Sequence, residues 1–460
     1  MITEPASFLK DYDLLENTFL HHYQPYHELC KSKSEWLQSV PCHWREKRLK
    51  YAVMLRNDTI DEIENNSMYI GLEHIESWTG GLINTKNESI IEGSGNKFLV
   101  DDILFGKLRP YLAKVHHALT NGICSSELLV LYSIDLTPRN LFYYLINRYF
   151  VEVVDSSTYG AKMPRANWQF ISNLTVLIPP TNEQQMITSF LDHATAKIDA
   201  LLTKKQRLIE LLNEKRIALI CHAVTKGLDQ KAPLRSSGIE WIGDIPEHWG
   251  IGPIRHLCDS IQTGPFGSQL HQSDYLPMGI PVINPVNLID GRIIPNDNSA
   301  VSEYTRRCLS RHILIPEDIV FARRGEIGRC GLVEVDQAGW LCGTGCMRLR
   351  LIRCNPYYYN YVFNSYGFSI MLTLNAIGTT MMNINTNILA RSTVPIPPYE
   401  EQELIAKYLK DETKRIDKLI QKVEEAISCL NEYRSALISA AVTGKIDVRQ
   451  HVHELEAGLL

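Results

Sequence analysis

The sequence predicts an α+β protein: two globular domains in tandem, each of mixed α/β content with a curved β-sheet and each followed by one long helix. The two helices are expected to pair as an antiparallel coiled coil with pseudo-twofold symmetry. Three observations carry this reading. Residues 179–229 return without a gap as residues 397–447, so that Pro179 and Pro397, Gln184 and Gln402, Ile198 and Ile416, Asp199 and Asp417, and Ala223 and Ala441 are all 218 apart. An aromatic motif opens each half, SEWLQSVPCHW and IEWIGDIPEHW, with Trp36 and Trp241, Pro41 and Pro246, His43 and His248, and Trp44 and Trp249 each 205 apart. The repeated segments carry apolar residues three and four apart, the narrow stripe of a coiled-coil seam rather than the wide face of a helix lying on a core.

Each long helix has its own punctuation. A proline pair sets an extended approach, and Thr181 followed three residues on by Gln184 fits a capping box, in which two side chains satisfy orphan backbone donors. Tyr399 at the equivalent place caps poorly, so Glu400 and Glu401 near the positive end of the helix dipole are expected to do more. The expected seam is Leu191, Ile198, Leu201, Leu208 and Leu212, broken by Lys205, against Leu409, Ile416, Leu419, Val423 and Leu430. Gly227 and Gly444 stand where a left-handed cap would end each run. At 1.5 Å per residue each helix spans roughly 60 Å, more than one small domain needs for support. Two unrelated amphipathic helices would not account for the gapless repeat.

The expected division is a helical N-terminal arm (1–32) without counterpart in the second half, a first globular domain (33–180), its helix (181–229), a polar linker (230–237), a second globular domain (238–398), its helix (399–447) and a tail (448–460). Within the domains, KFLVDDILFGKL and RHILIPEDIVFARR read as short strands separated by turn-rich spacers. Asp102 and Asp318, and Phe105 and Phe321, are 216 apart; 216 − 205 = 11 residues are therefore added to the loops of the second domain. Loops that differ on a shared scaffold are what two recognition surfaces require. Near the end of each domain the chain turns at a glycine, Gly160 or Gly378, before a polar loop and the proline pair. The Trp-Pro-His-Trp clusters suit core anchors better than ligand cages.

Composition narrows the classes. With 45% apolar and 22% charged residues the chain is neither disordered nor fibrous. It shows no secretory leader and no apolar stretch long enough to span a bilayer. Eleven cysteines without a CxxC pair argue for reduced thiols and a cytoplasmic location, and Cys342 and Cys346, four apart, lack the further ligands that a metal site requires. A formal charge of −5 permits nucleic-acid binding through a local basic face without suggesting it.

Reaction machinery is missing from the sequence. Neither a Walker A loop, a GxGxxG turn, HExxH nor GxSxG occurs, and Asn355-Pro356-Tyr357 lacks the second proline of an amino-methyltransferase motif, which leaves it as a turn into the aromatic run Tyr357 to Tyr361. What remains is basic and polar. Lys107, Arg109, Tyr111 and Lys114 lie together in the first domain, with Lys162 and Arg165 in its later loop. Arg323, Arg324 and Arg329 answer them in the second, with Asn383 and Asn385 in the matching loop. Arginine grips guanine edges, asparagine grips adenine, and lysine and tyrosine hold phosphate. Each residue alone could merely solubilise a strand end; the clustering in both halves favours DNA.

From Trp36 to Asp447 the chain resembles the specificity subunits of type I restriction-modification systems. The resemblance rests on the two opening motifs, on ILFGKLRPYLAKV and IVFARRGEIGRCGLV, and on the helix start PIPPYEEQELIAKYLKDETKRID, in that order and each time leading to a long helix. It implies two target recognition domains, each reading one half of a bipartite double-stranded DNA sequence, held apart by the helices. It also implies a non-catalytic chain with two modification (methyltransferase) subunits as partners and, where present, two restriction (ATP-dependent translocase and nuclease) subunits. S-adenosylmethionine, ATP and Mg then belong to those partners, with no cofactor or metal on this chain and no membrane partner. The departures are the N-terminal arm and Val40-Pro41-Cys42 in place of the commoner Ile-Pro-Glu. The competing expectation is a non-enzymatic coiled-coil scaffold that grips proteins and reads no DNA.

Overall fold

A computed structural model describes residues 19–34, 36–60, 68–83, 94–158, 163–296, 299–325, 328–376 and 383–451. The chain forms two compact units, one of residues 1–206 and 424–460, the other of residues 207–423. The division runs through both long helices, so each unit holds a globular domain, the start of the helix that follows it and the end of the other helix.

In the first unit the central antiparallel sheet has the order Val53–Arg56, Leu128–Ser133, Ile103–Gly106, Val115–His117. Leu128 to Val130 and Ile103 to Gly106 are buried on both faces, which is why their sequences are unbroken apolar runs rather than alternations. One face packs on helices Pro138–Ile146 and Arg148–Ser156, capped by Thr137 and Asn147. The other face meets a second sheet of order Thr59–Ile60, Gly95–Phe98, Gly122–Ser125, Tyr69–Ile70. The second unit repeats the plan with Cys258–Thr263, Cys346–Leu351, Ile319–Ala322 and Cys330–Leu332 as its central sheet and Pro356–Phe363 as its first covering helix. Asn355 caps that helix through Tyr358 N, so Asn355-Pro356-Tyr357 is a helix start, not a turn.

The repeat reaches further back than the sequence alone indicates. Strand Leu29–Lys31 pairs with Ser39–Pro41, and strand Leu234–Ser236 pairs with Asp244–Pro246 in the same register, Leu29 with Pro41 and Leu234 with Pro246. Part of the expected helical arm is therefore a strand, and part of the expected linker is its counterpart. Residues 1–18 lie outside the described residues. Cys30 and Cys42, on this first hairpin, form a disulfide, against the expectation of reduced thiols throughout; the other nine cysteines are free. Burial pushes the Cys342 thiol up to about 12 and the Cys346 thiol well above its ordinary value.

The long helices are Thr181–Lys226 and Tyr399–Val442, each roughly 65–70 Å at 1.5 Å per residue. Within the first unit Asp199 of the first helix meets Arg434 of the second, and the partner number falls as the helix number rises into the next pair, so the two helices run antiparallel. Within the second, Arg216 meets Asp417. The sums agree, 199 + 434 = 216 + 417 = 633, and the two pairs are exchanged by the 218-residue repeat.

The inward row is a strict heptad: Leu191, Thr195, Ile198, Leu202, Lys205, Ile209, Leu212, Arg216, Leu219 and Ala223, with Leu409 to Ala441 following 218 residues later, none of them exposed. Of the expected seam, Leu191, Ile198, Leu212, Leu409, Ile416, Val423 and Leu430 lie on it. Leu201, Leu208 and Leu419 do not; they are 46, 43 and 50% exposed. At 100° per residue Leu202 sits about 40° from Ile198 and Leu201 about 60° to the other side, and Lys205, taken as a break, is a half-buried seam position.

The capping box does not form. Gln184 N donates to Pro180 O, which places Thr181 inside the first turn. The buried Gln184 side chain instead donates to Pro179 O at 2.9 Å and accepts from Thr137 N at 2.6 Å, and Gln402 does the same with Pro397 O and Asn355 N at 2.8 Å each. This glutamine fastens each helix start to the N-cap of its domain's covering helix.

Gly227 and Gly444 end the helices with φ of 72° and 73°, as their positions suggest. A Cβ on Gly227 would lie 3.0 Å from Trp249, whereas one on Gly444 would overlap the Pro41 ring. Gly227→Ala should cost about 1 kcal/mol from the left-handed backbone alone, and Gly444→Ala clearly more, about 2–3 kcal/mol, because overpacking against a proline ring adds to it. Thermal unfolding of the two variants checks the order.

Candidate nucleic-acid interface

The basic residues sit where each central sheet opens into loops. In the first unit, strand Ile103–Gly106 leads to Lys107, and Arg109 takes a left-handed conformation with φ of 50° that turns the chain. The later loop is stitched to this segment: Ala166 N donates to Lys107 O at 2.9 Å and Arg109 N to Pro164 O at 2.8 Å. In the second unit Ile384 N donates to Arg323 O at 3.1 Å. Lys107 and Arg323 are 216 apart, Ala166 and Ile384 218 apart, so the repeat brings the same two segments together in each unit.

The side chains divide by their partners. Arg109 is exposed and Tyr111 46% exposed, while Lys107 is half-buried. Lys114 is held by Leu72 O at 2.6 Å, and Arg165 is ion-paired with Glu127 at 2.7 Å. Lys162 lies outside the described residues, as do Gly160 and Gly378. Arg324 and Arg329 are exposed. Arg323 is half-buried, its guanidinium lowered from the ordinary value by burial and by Arg324 beside it. Asn383 is half-buried, and its Oδ1 has no partner among the described residues. Asn385 caps helix Thr386–Arg391 through Ile388 N at 2.9 Å, and its repeat counterpart Asn167 caps Trp168–Ile171. The Asn385 side-chain oxygen is therefore engaged in a helix cap.

Two polar clusters escaped the sequence reading, and both repeat. At the start of each long helix one carboxylate joins the opening motif to the helix. Glu183 takes Trp44 Nε1 at 2.8 Å, Tyr26 OH at 3.2 Å and His43 Nε2 at 2.7 Å. Glu401 takes Trp249 Nε1 at 2.9 Å and His248 Nε2 at 2.6 Å. Trp44 and Trp249 are buried, so the anchoring role expected of the aromatics stands, with the histidines fixed at the edge. Behind each basic segment lies a buried aspartate. Asp102 accepts Arg56 Nε at 2.9 Å and Leu99 N at 2.8 Å; Asp318 accepts Arg350 Nε and NH2 at 2.8 and 2.9 Å and Ile315 N at 2.9 Å. These hydrogen bonds raise both guanidinium groups above the usual arginine value. The aspartate repeat was visible in the sequence, but its arginine partner comes from a different strand in each unit.

Among the described residues no group of three or more His, Cys, Asp and Glu side chains is placed to hold a metal, and no helix is long and apolar enough to cross a membrane.

A family profile described as "Type I restriction modification DNA specificity domain" matches residues 50–211 and 246–428. The chain belongs to this family. Type I specificity chains similar to it include the MjaVIII specificity subunit of Methanocaldococcus jannaschii, 24% identical over 397 residues, 85% of this chain and 88% of that one. The EcoKI specificity subunit of Escherichia coli K12 is 22% identical over 300 residues, covering 64% of this chain and 62% of that one. Two solved structures share the specificity-subunit fold. One, from work described as "Structural basis underlying complex assembly and conformational transition of the type I R-M system", has a TM-score of 0.63 at 19% identity and covers 88% of this chain and 98% of that one. The HsdS subunit of Thermoanaerobacter tengcongensis has a TM-score of 0.50 at 18% identity with the same coverage. The two matched segments of this type I specificity chain contain both basic loop junctions, both buried aspartates and the starts of both long helices.

Proposed function

We propose that this chain is the sequence-reading subunit of a type I restriction-modification complex. Its two domains bind the two halves of a bipartite DNA target and the chain docks two modification subunits, with restriction subunits joining where the system has them. It makes and breaks no bonds itself; S-adenosylmethionine, ATP and Mg are held by the partners, and the assembly works in the cytoplasm. The observation that carries the reading is one loop junction built twice with different side chains on it, Lys107, Arg109 and Tyr111 in one domain and Arg323, Arg324 and Asn383 in the other. Two unlike surfaces on one scaffold suit two unlike half-sites. Lys114, Arg165 and Asn385 are weaker candidates, because each already has one partner within the fold that DNA would have to share or displace.

The host methylome, sequenced with and without the gene, tests this. A methylated motif in two separated parts should vanish with the gene. An unchanged methylome, with no salt-dependent binding of the purified chain to duplex DNA, would leave the protein-gripping scaffold in its place.

A further inference from the structure

In the second domain a buried arginine has no counterpart in the first. Arg348 stands mid-strand in Cys346–Leu351, between Gln262 and Val320 in the sheet register, and is 9% exposed. Its repeat equivalent, 218 residues earlier, is Val130, fully buried in the apolar layer between the two sheets of the first domain. The Arg348 guanidinium reaches only Ile313 O at 3.4 Å and Ser260 Oγ at 3.3 Å, its Nε has no partner, and it makes no ion pair among the described residues. The nearby carboxylate of Asp318 is already taken by Arg350 and Ile315 N. Burial and the adjacent Arg350 lower the Arg348 guanidinium from its ordinary value. Asp318 and the exposed Asp259 favour its charge only through space, and a buried guanidinium with no direct ion pair is costly unless a partner from outside completes it.

The space beside it fits such a partner. Arg348 lines a cleft of about 520 Å³ together with Gln262, Ser310, Arg311 and Arg350. Arg311 and Ser310 are exposed at its edge. Three guanidinium groups, that of Arg350 already held by Asp318, with a hydroxyl and an amide offer many donors beside the apolar Ile313 and Ile315, and no carboxylate lines the cleft, which suits an oxyanion with several acceptor oxygens. Reading a base edge needs a side chain that extends into a groove, and Arg348 is rooted in the middle of the sheet.

We propose that this cleft seats a backbone phosphate of the DNA half-site held by the second domain, with Arg348 as the buried charge and Arg311, Gln262 and Ser310 closing around it. The proposal rests on the DNA-reading role above. It makes the two domains unequal in grip, because Val130 gives the first domain no equivalent.

The test uses the full-length chain and a duplex of mixed sequence, titrated across a range of salt. Arg348→Val installs the residue of the first domain, and Arg311→Ala changes an exposed side chain. Each should weaken binding about tenfold regardless of sequence and flatten the slope of log K against log salt by about one. Should Arg348→Val fail to fold, Arg311→Ala decides alone. Unchanged affinity and slope in Arg311→Ala overturn the proposal, as does a loss confined to one sequence with the slope intact, which would mean a base contact. If the unaltered chain binds no duplex at any salt, the DNA-reading role falls by itself. Titration with inorganic phosphate then separates the sources: thermal stabilisation abolished by Arg311→Ala assigns the cleft to free phosphate instead of DNA, and no stabilisation removes the site.

Discussion

Glu183→Ala should destabilise the first unit by about 3–5 kcal/mol, while Glu401→Ala costs the second only about 1–2 kcal/mol. The two carboxylates are repeat equivalents, yet their surroundings differ. Glu183 has a side chain 7% exposed and serves Trp44, His43 and Tyr26, with Arg449 3.6 Å away. Removing it strands a buried indole N–H and a buried phenol at once, although Arg449 keeps its ion pair with Asp447. Burial and Glu183 together already push the Tyr26 hydroxyl far above its ordinary value, so it has no alternative as an ionised partner. Glu401 is 35% exposed and serves only Trp249 and His248, and water replaces it cheaply. Thermal unfolding followed by tryptophan emission separates the cases, and equal losses in the two variants would refute the argument from burial.

Asp102→Ala and Asp318→Ala should each lose about 3–5 kcal/mol, each in its own unit only. Asp102 is fully buried and Asp318 1% exposed, and both hold an arginine through two hydrogen bonds and a backbone N–H through a third. The substitution leaves Arg56 or Arg350 without its counter-charge beside the sheet and frees the turn that leads into the strand. Because Arg56 contacts Asp102 within the first unit and Arg350 contacts Asp318 within the second, hydrogen exchange should rise in one unit and stay at the parent level in the other. Exchange rising equally in both units would show that the two do not open independently.

Much of this architecture was legible because periodicity is a property of the chain itself. The 218-residue repeat predicted two long helices, and the left-handed ends at Gly227 and Gly444 followed from residue type alone. The seam was legible only to within one residue. Leu201 and Leu202 are both leucine, and which of them turns inward depends on where the partner helix lies. The same limit hid the clasp at Gln184, whose side chain bonds to Thr137, 47 residues away.

The candidate interface divides in the same way. Clustering of Lys107, Arg109 and Tyr111 could be read directly, but the ion pair on Arg165 and the carbonyl that holds Lys114 come from Glu127 and Leu72, distant in sequence. Arg348 gave no signal at all, since an arginine in a strand pattern reads as a solvated face until a second sheet is laid over it.

From its order of residues alone, then, the chain determined its duplication, its helix lengths and ends, its short apolar strands and the family to which it belongs, because all of these depend on neighbours along the chain. Only the tertiary structure decided which leucines meet, which cations are already ion-paired and that Arg348 is buried with no ion pair among the described residues. Those outcomes depend on groups brought close by folding, and the free energy of a charge or an apolar side chain is set by what surrounds it.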